Sequence, residues 1–381
     1  MKRKNITRES WIFGWASLLN DFGAEMIYSI WPLFVTTVLK ANMTVLGLID
    51  GLGDAVVSIS QGISGYISDR IRKRKVFVWL GYIFGSLSRI GYAFSTAWQH
   101  LVPLRILDRA GKIRAAPRDA IIADSTAHNQ RGENFGLVRA MDNIGAVIGI
   151  VASMALLGIL GYRKLFLLAS APSLAGAFLV FKLIKERKPS SRIYPGMKLA
   201  DLNKNFRLFL LLSCLFSLGS FSYSFLLIFA KNAGIPPAAI PALYLLFVAI
   251  ASASSIPFGR LADVSGRKPV LILSMALWAL LCATLILSPG IGSLVFAFIL
   301  FGLHKGSLDP VRNVFVAELA PKRFRASVLG GYQMMIGIFA LPSSVIAGIL
   351  WDRSGAMVPF LFSFLLTLIA IGILFFVKEK R

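Results

Sequence analysis

The sequence predicts an all-α membrane protein whose twelve transmembrane helices form two pseudo-symmetric six-helix bundles. Three observations lead there: apolar residues gathered in blocks of helix length, basic residues collected in alternate loops, and a second half that repeats landmarks of the first. Of the 381 residues, 56% are hydrophobic and 15% are Asp, Glu, Lys or Arg, well under the roughly 25% charged residues usual for a soluble domain. A stretch of about 20 apolar residues crosses the hydrocarbon core of a bilayer. Lipid is therefore the solvent to which this chain is matched.

Apolar blocks lie at 11–39, 44–68, 76–97, 100–124, 136–161 and 164–184, then at 207–230, 239–262, 269–289, 291–318, 327–350 and 357–377. Charges interrupt the first, fourth and tenth and weaken their hydropathy. The opening residues resemble a signal peptide, but a cleavable apolar region is only about 7 to 15 residues long and lacks acids. Here the run continues to Leu39 and contains Asp21 and Glu25, so a retained helix is expected.

With 41 Lys and Arg against 18 Asp and Glu, the chain carries a formal charge of +23. The amino terminus, Arg70 to Lys75, Lys185 to Arg207, Arg267 with Lys268, Lys322 to Arg325 and Lys378 to Arg381 fall on one side of the membrane. The other side has Lys40, Arg163, Lys164, Lys231 and Arg353. Because loops rich in Lys and Arg resist translocation, this imbalance puts both termini in the cytoplasm, in a multi-pass plasma-membrane protein. No basic stripe with interleaved aromatics lies outside the apolar blocks, so no nucleic-acid partner is expected. Cys214 and Cys282 sit inside apolar blocks without metal-ligand spacing, so neither a disulfide, a metal nor a cofactor is expected. The polar stretch 185–206, with Pro189, Ser190, Ser191, Pro195 and Gly196, reads as a cytoplasmic linker between an amino-terminal bundle, 1–184, and a carboxy-terminal bundle, 207–381.

The halves share landmarks. Gly65, Asp69 and Arg70 to Arg74 recur as Gly259, Asp263 and Arg267 with Lys268, each where an even-numbered span enters a basic loop. Lys112 and Pro117 correspond to Lys305 and Pro310, and Arg131 with Gly145 to Arg323 with Gly337. Three matches at nearly one offset indicate duplication.

The loop pattern after the second and eighth spans resembles the signature loop of the major facilitator superfamily, and the resemblance covers the whole chain. The first copy has Arg72 where a glycine is usual, whereas the second keeps Gly266, where a positive φ is expected. The segments Asn20-Asp21 to Tyr28 and Arg105 to Asp119 are similar to a mostly uncharacterised prokaryotic branch. The resemblance implies a monomeric secondary transporter in which spans one, two, four and five of each half surround a central cavity. It also implies a cytoplasmic gate built from Gly65, Asp69, Arg70, Arg74, Gly259, Asp263 and Arg267.

Ionisable residues inside a membrane are functional candidates, since a charge in hydrocarbon costs several kcal/mol without a partner or a cavity. The carboxylates are Asp21, Glu25, Asp50, Asp54, Asp108 and Asp142; the cations are Arg105, Arg109, Lys112 and Arg139, and Arg89 is a mid-span charge on the third span. Asp21 with Glu25, and Asp50 with Asp54, are spaced to share a helix face. Arg105, Arg109 and Lys112 likewise form a basic ridge about 10 Å long, so an acidic wall facing a basic wall is expected. The carboxylates are proton-coupling candidates, and the cations candidates for substrate binding or charge relay. By the resemblance, Arg105 stands where proton-coupled exporters carry an intramembrane Arg. In the carboxy-terminal half, Phe216, Phe221, Tyr223, Phe225, Tyr244, Tyr332 and Met335 read either as an apolar substrate surface or as helix packing, and His304 as a proton relay or a satisfied bundle residue. No nucleotide-binding loop or hydrolase motif occurs, so no catalytic residue is expected. Three functions remain open: proton-coupled export of a small organic solute, import or exchange of an anion, and a non-transporting receptor or lipid-handling protein.

Overall fold

The computed structural model describes residues 6–71, 73–127, 130–186, 204–288, 290–320 and 325–379. The side chains of Asp69 and of 325–327 lie outside the described set, as do Arg72 and most of the linker expected at 185–206. The fold is all-helical with twelve spans, and among the described residues there is no strand.

The first span is the helix Arg8–Tyr28, continued by the short helix Trp31–Leu33 and a π-helical turn, Phe34–Val38. Its interruption follows from Pro32, which has no N–H to donate and whose ring crowds the carbonyl four residues back. The second and third spans are Met43–Ile71 and Arg74–Phe94. The fourth, expected as a single block at 100–124, is Trp98–Ala110, a 3-10 turn Gly111–Arg114, and Ala115–Ser125. Pro117 lies just beyond that turn and disfavours an α-helical bond to residue 113. Gly81 of the third span packs there so closely that a Cβ on it would strike the Gly111 carbonyl.

The fifth and sixth spans form one helical run, Arg131–Leu183, broken at Gly161, where φ is 68° and ψ 173°. The seventh span is Lys204–Gly219 with Ser224–Asn232, and the eighth to twelfth are Ile240–Ser265, Arg267–Leu287, Ile291–Leu319, Arg325–Ser354 and Val358–Phe376. Among the described residues nine helices are long and apolar enough to cross a membrane by composition alone. The first and fourth spans miss that mark because charges and breaks interrupt them, and the fifth and sixth count as one. Gly266 has φ 99°, the left-handed geometry expected of it.

The chain groups into two compact units, Met1–Phe34 with Val56–Ile193, and Val35–Ala55 with Tyr194–Arg381. In the first, Gly145 and Gly149 of the fifth span meet the first span so tightly that a Cβ on either would strike the carbonyl of Leu18 or Phe22. This glycine pair is thus a packing device, as small residues four apart are in many membrane helices. The core of this unit includes Phe13, Val78, Tyr82, Ile122 and Val180.

In the second unit, Asp352 caps the start of the second span, accepting the N–H groups of Met43 at 3.1 Å and Thr44 at 2.8 Å and the Thr44 hydroxyl at 2.7 Å. Lys231 Nζ donates to Thr37 Oγ1 at 2.8 Å. The aromatic residues of this unit interlock: Phe221 packs on Phe225, Trp278 and Phe360, and Tyr332 stacks on Phe209 while its hydroxyl donates to Ser213 at 2.8 Å. These contacts favour helix packing as their role. His304 is buried between Trp278 and Phe216, its Nδ1 2.8 Å from the carbonyl oxygen of Ser274. A carbonyl oxygen can only accept, so Nδ1 donates there, and these contacts favour a packing role for the ring.

Candidate functional site

The first unit collects charge from four of its spans. On the fourth span, one helical turn separates Arg105, buried to 1% exposure, from Asp108, at 5%. Asp108 Oδ2 accepts the Tyr28 hydroxyl at 2.8 Å and lies 3.8 Å from Arg105 Nη1 and 3.9 Å from Arg109 Nε. The two guanidinium groups also stack on aromatics of the first span, Arg105 4.5 Å from the Trp31 ring centre and Arg109 4.4 Å from that of Tyr28. Planar cations over π faces lose less on desolvation than bare ammonium groups would. Tyr28 closes the first helix and Trp31 opens the short one that follows, so both flank the interruption at Pro32.

Towards the 3-10 turn a second layer forms. Arg118 Nη1 donates to Ser17 Oγ at 2.7 Å and lies 3.8 Å from Asp142 Oδ2, while its Nε donates to Asp119 at 3.0 Å. Tyr82 shares a hydrogen bond with Ser17 at 3.2 Å and lies beneath the Arg114 guanidinium at 5.0 Å. Lys112, in the 3-10 turn, is within electrostatic range of Asp21 and Asp142, which also feel one another.

The third span contributes Arg89, 2% exposed. Its guanidinium meets the Ala169 carbonyl at 3.1 Å, the Ser173 hydroxyl, and both oxygens of Asn20, at 3.3 Å for the backbone and 3.2 Å for the side chain. Asn20 Nδ2 in turn donates to Asp21 Oδ1 at 2.8 Å.

Of the residues expected at the site, Asp21, Glu25, Arg105, Asp108, Arg109, Lys112 and Asp142 belong to this unit and are buried or half-buried. Arg139 is exposed. Asp50 departs from the expected acidic wall: it is 2% exposed and accepts the hydroxyls of Ser222 at 2.8 Å and Ser224 at 2.5 Å within the second unit. Asp54, one turn on, is exposed, so the face that spacing assigns to both does not give them one environment. The basic ridge also bends, because Lys112 stands in the 3-10 turn rather than on the α-helix carrying Arg105 and Arg109.

Among the gate residues, Arg70 is exposed and Gly65 half-buried. Arg74 is buried and paired with Asp124 at 2.6 Å, while its backbone N–H donates to Glu186 at 2.8 Å. Its counterpart Arg267 pairs with Glu318 at 3.2 Å and with Asp263 at 3.1 Å, and its N–H donates to Glu379 at 2.5 Å. Gly259 has open space around it. Sequence reasoning did not assign roles to Glu186, Glu379, Ser17 or Tyr82, whose partners lie on distant parts of the chain. The recurrence of a Glu just past the sixth and twelfth spans was the available signal.

The sequence matches the family model described as Major Facilitator Superfamily over residues 13–227 and 208–381. It is 33% identical over 387 residues to the MFS-type transporter MJ1317 of Methanocaldococcus jannaschii, covering 98% of this chain and 96% of that one. Among solved structures it is similar to a bacterial homologue of the human lysosomal transporter Spinster in an inward-facing form, with a TM-score of 0.79 at 14% identity, covering 97% of this chain and 96% of the other. It is also similar to the nucleoside transporter NupG, with a TM-score of 0.76 at 15% identity and coverage of 98% and 100%. At such identities the structural likeness speaks for the fold.

Proposed function

The chain belongs to the major facilitator superfamily, and from that premise we propose that this multi-pass secondary transporter exports a small organic solute in exchange for protons. The observation that supports the reading is the placing of buried or half-buried carboxylates of the first and fifth spans among polar groups of the first unit. Asp142 Oδ2 lies 3.8 Å from Arg118 Nη1 and Asp21 Oδ1 2.8 Å from Asn20 Nδ2, with Lys112 within electrostatic range of both carboxylates. A carboxylate there exchanges protons when its cationic neighbours change distance, because a nearby cation favours the charged form and burial disfavours it. Asp21, Glu25 and Asp142 are the foremost proton carriers, with Asp108 held by Arg105, Arg109 and Tyr28 as the fixed counter-charge. Asp50 and Asp54 are further candidates on the second span. Arg105, Arg109, Lys112 and Arg139 act on substrate or relay charge.

The halves 1–184 and 207–381, joined by the linker 185–206, exchange access between the two faces of the plasma membrane. Gly65, Asp69, Arg70, Arg74, Gly259, Asp263 and Arg267 form the cytoplasmic gate, and both termini are cytoplasmic. The transporter works as a monomer.

A thermal-shift screen of solutes on purified protein identifies a substrate, since a ligand that prefers the folded state raises its apparent stability. Proteoliposomes with a trapped pH dye then test coupling. Under antiport, solute movement in one direction drives protons in the other, and the Asp21→Asn, Glu25→Gln double variant uncouples them. Acceleration by a gradient of the opposite sense identifies symport of an anionic solute instead. Unaltered pH dependence in the double variant removes the proton-site assignment.

A further inference from the structure

Arg89 lies on the third span, one of the spans that the family pattern places away from the cavity, yet its side chain is 2% exposed and is directed at the first span. Such a residue must be satisfied, since an unpaired guanidinium inside the membrane is costly. Its contacts do more than satisfy it. Asn20 Oδ1 receives two donors, Arg89 Nη2 at 3.2 Å and Ser173 Oγ at 3.0 Å. An amide whose oxygen faces two donors can take only one of its two flipped orientations. Its nitrogen is then turned the other way, where Nδ2–H meets Asp21 Oδ1 at 2.8 Å. The backbone carbonyl of Asn20 is held by the same guanidinium at 3.3 Å, which fixes the residue as well as its side chain.

We propose that Arg89 is a positioning residue: by fixing the amide of Asn20, it aims an N–H at the Asp21 carboxyl group and sets the geometry in which Asp21 meets its other neighbours. The proposal rests on the reading of Asp21 as a proton carrier and adds a control element to it. An N–H seated on Oδ1 occupies that oxygen and restrains the carboxyl group in one rotamer, so loss of the donor leaves Asp21 freer to turn and to react. The charged groups about Asp21 are Glu25 one turn along its own helix, Arg89 from the third span, Lys112 from the fourth and Asp142 from the fifth. The Arg89 chain is distinctive in reaching Asp21 through a neutral amide, so it acts by orientation as well as by charge.

The test reads Asp21 directly and needs no substrate. Full-length protein in liposomes is treated with a membrane-permeant carbodiimide, which attacks protonated carboxyl groups, and label at Asp21 is measured by peptide mass spectrometry between pH 5 and pH 9. Asn20→Ala and Arg89→Gln are each expected to raise labelling of Asp21 about tenfold, because the carboxyl group loses the hydrogen bond that occupies its oxygen. Their combination should add little to either alone, since both break one chain of contacts. Arg89→Lys keeps the charge but not the fork that grips Asn20 and Ser173, and is expected to behave as Arg89→Gln does. It also serves if Arg89→Gln fails to fold.

Labelling unchanged within twofold in Asn20→Ala and Arg89→Lys would overturn the proposal. So would an undiminished Arg89 effect when Asn20 is Ala, or an Asp21 that takes no label in any variant. A purely structural Arg89 would lower thermal stability without moving the label profile. Loss of the proton-coupling reading in the transport assay, with the label shifts intact, would remove that reading and leave this one standing.

Discussion

Glu379 accepts the backbone N–H of Arg267 as Glu186 accepts that of Arg74, and in both pairs the residues are 112 apart in sequence. Each glutamate lies just past the last helix of a half and caps the first turn of the third helix of that half. In both halves it also reaches the next N–H, of Lys75 at 3.0 Å and of Lys268 at 3.3 Å. A carboxylate at a helix start satisfies donors that have no intrahelical partner and meets the positive end of the helix dipole. Replacing either glutamate by alanine is expected to lower stability by about 1 kcal/mol. Thermal unfolding of purified Glu186→Ala and Glu379→Ala measures it, and equal melting points to wild type would deny the caps their role.

Gly149 predicts the cost of a single methyl group. A Cβ there meets backbone atoms of Phe22, which cannot swing aside as a side chain can. Gly149→Ala should therefore destabilise by roughly 1 to 3 kcal/mol through overpacking. Gly158→Ala, on the same span with nothing within 4 Å of its Cβ position, is the matched control and should unfold at the wild-type temperature or above it.

Asp108 should be the least replaceable carboxylate of the cluster. Asp108→Asn leaves Arg105 and Arg109 in place without the anion between them, which in buried pairs typically costs about 3 to 5 kcal/mol. Tyr28→Phe removes one hydrogen bond to the same oxygen and should cost only about 1 kcal/mol. Melting temperatures of the two variants should thus differ clearly, in that order, and the reverse order would show that Tyr28 rather than the arginines holds Asp108.

Asp352→Ala should act at a distance in sequence. It removes the acceptor of the Met43 and Thr44 N–H groups, so amide hydrogen exchange at Met43 and Thr44 should accelerate about tenfold. Exchange in the seventh span serves as the internal reference, and a uniform acceleration there would mean general unfolding instead.

Much of the fold could be read from residue order because hydrophobic length and basic loops are local properties. The block at 44–68 became Met43–Ile71, and that at 291–318 became Ile291–Leu319. The helix breaks at Pro32 and in the 3-10 turn before Pro117 were not anticipated, although the prolines are local signals, because Pro310 at the repeated position sits inside an unbroken helix. Tertiary contact decides which outcome follows; here it is the close approach of Gly81 to Gly111. Spacing identified the faces carrying Asp21 with Glu25 and Arg105 with Arg109, but a face does not name its partner. Asp50 shows the limit, as its partners Ser222 and Ser224 lie 172 and 174 residues away. Arg89 was visible as an odd charge, and only the folded chain connects it to Asn20.

Gly161 makes the passage from the fifth span to the sixth with a single residue outside helical geometry, at φ 68° and ψ 173°. Side chains are all but excluded from that region of backbone space, and one residue leaves no slack to absorb an insertion. Epitope tags, protease sites or reporter fusions placed at this corner should abolish assembly, which makes it a poor site for topology mapping and a sensitive one for detecting misfolding variants.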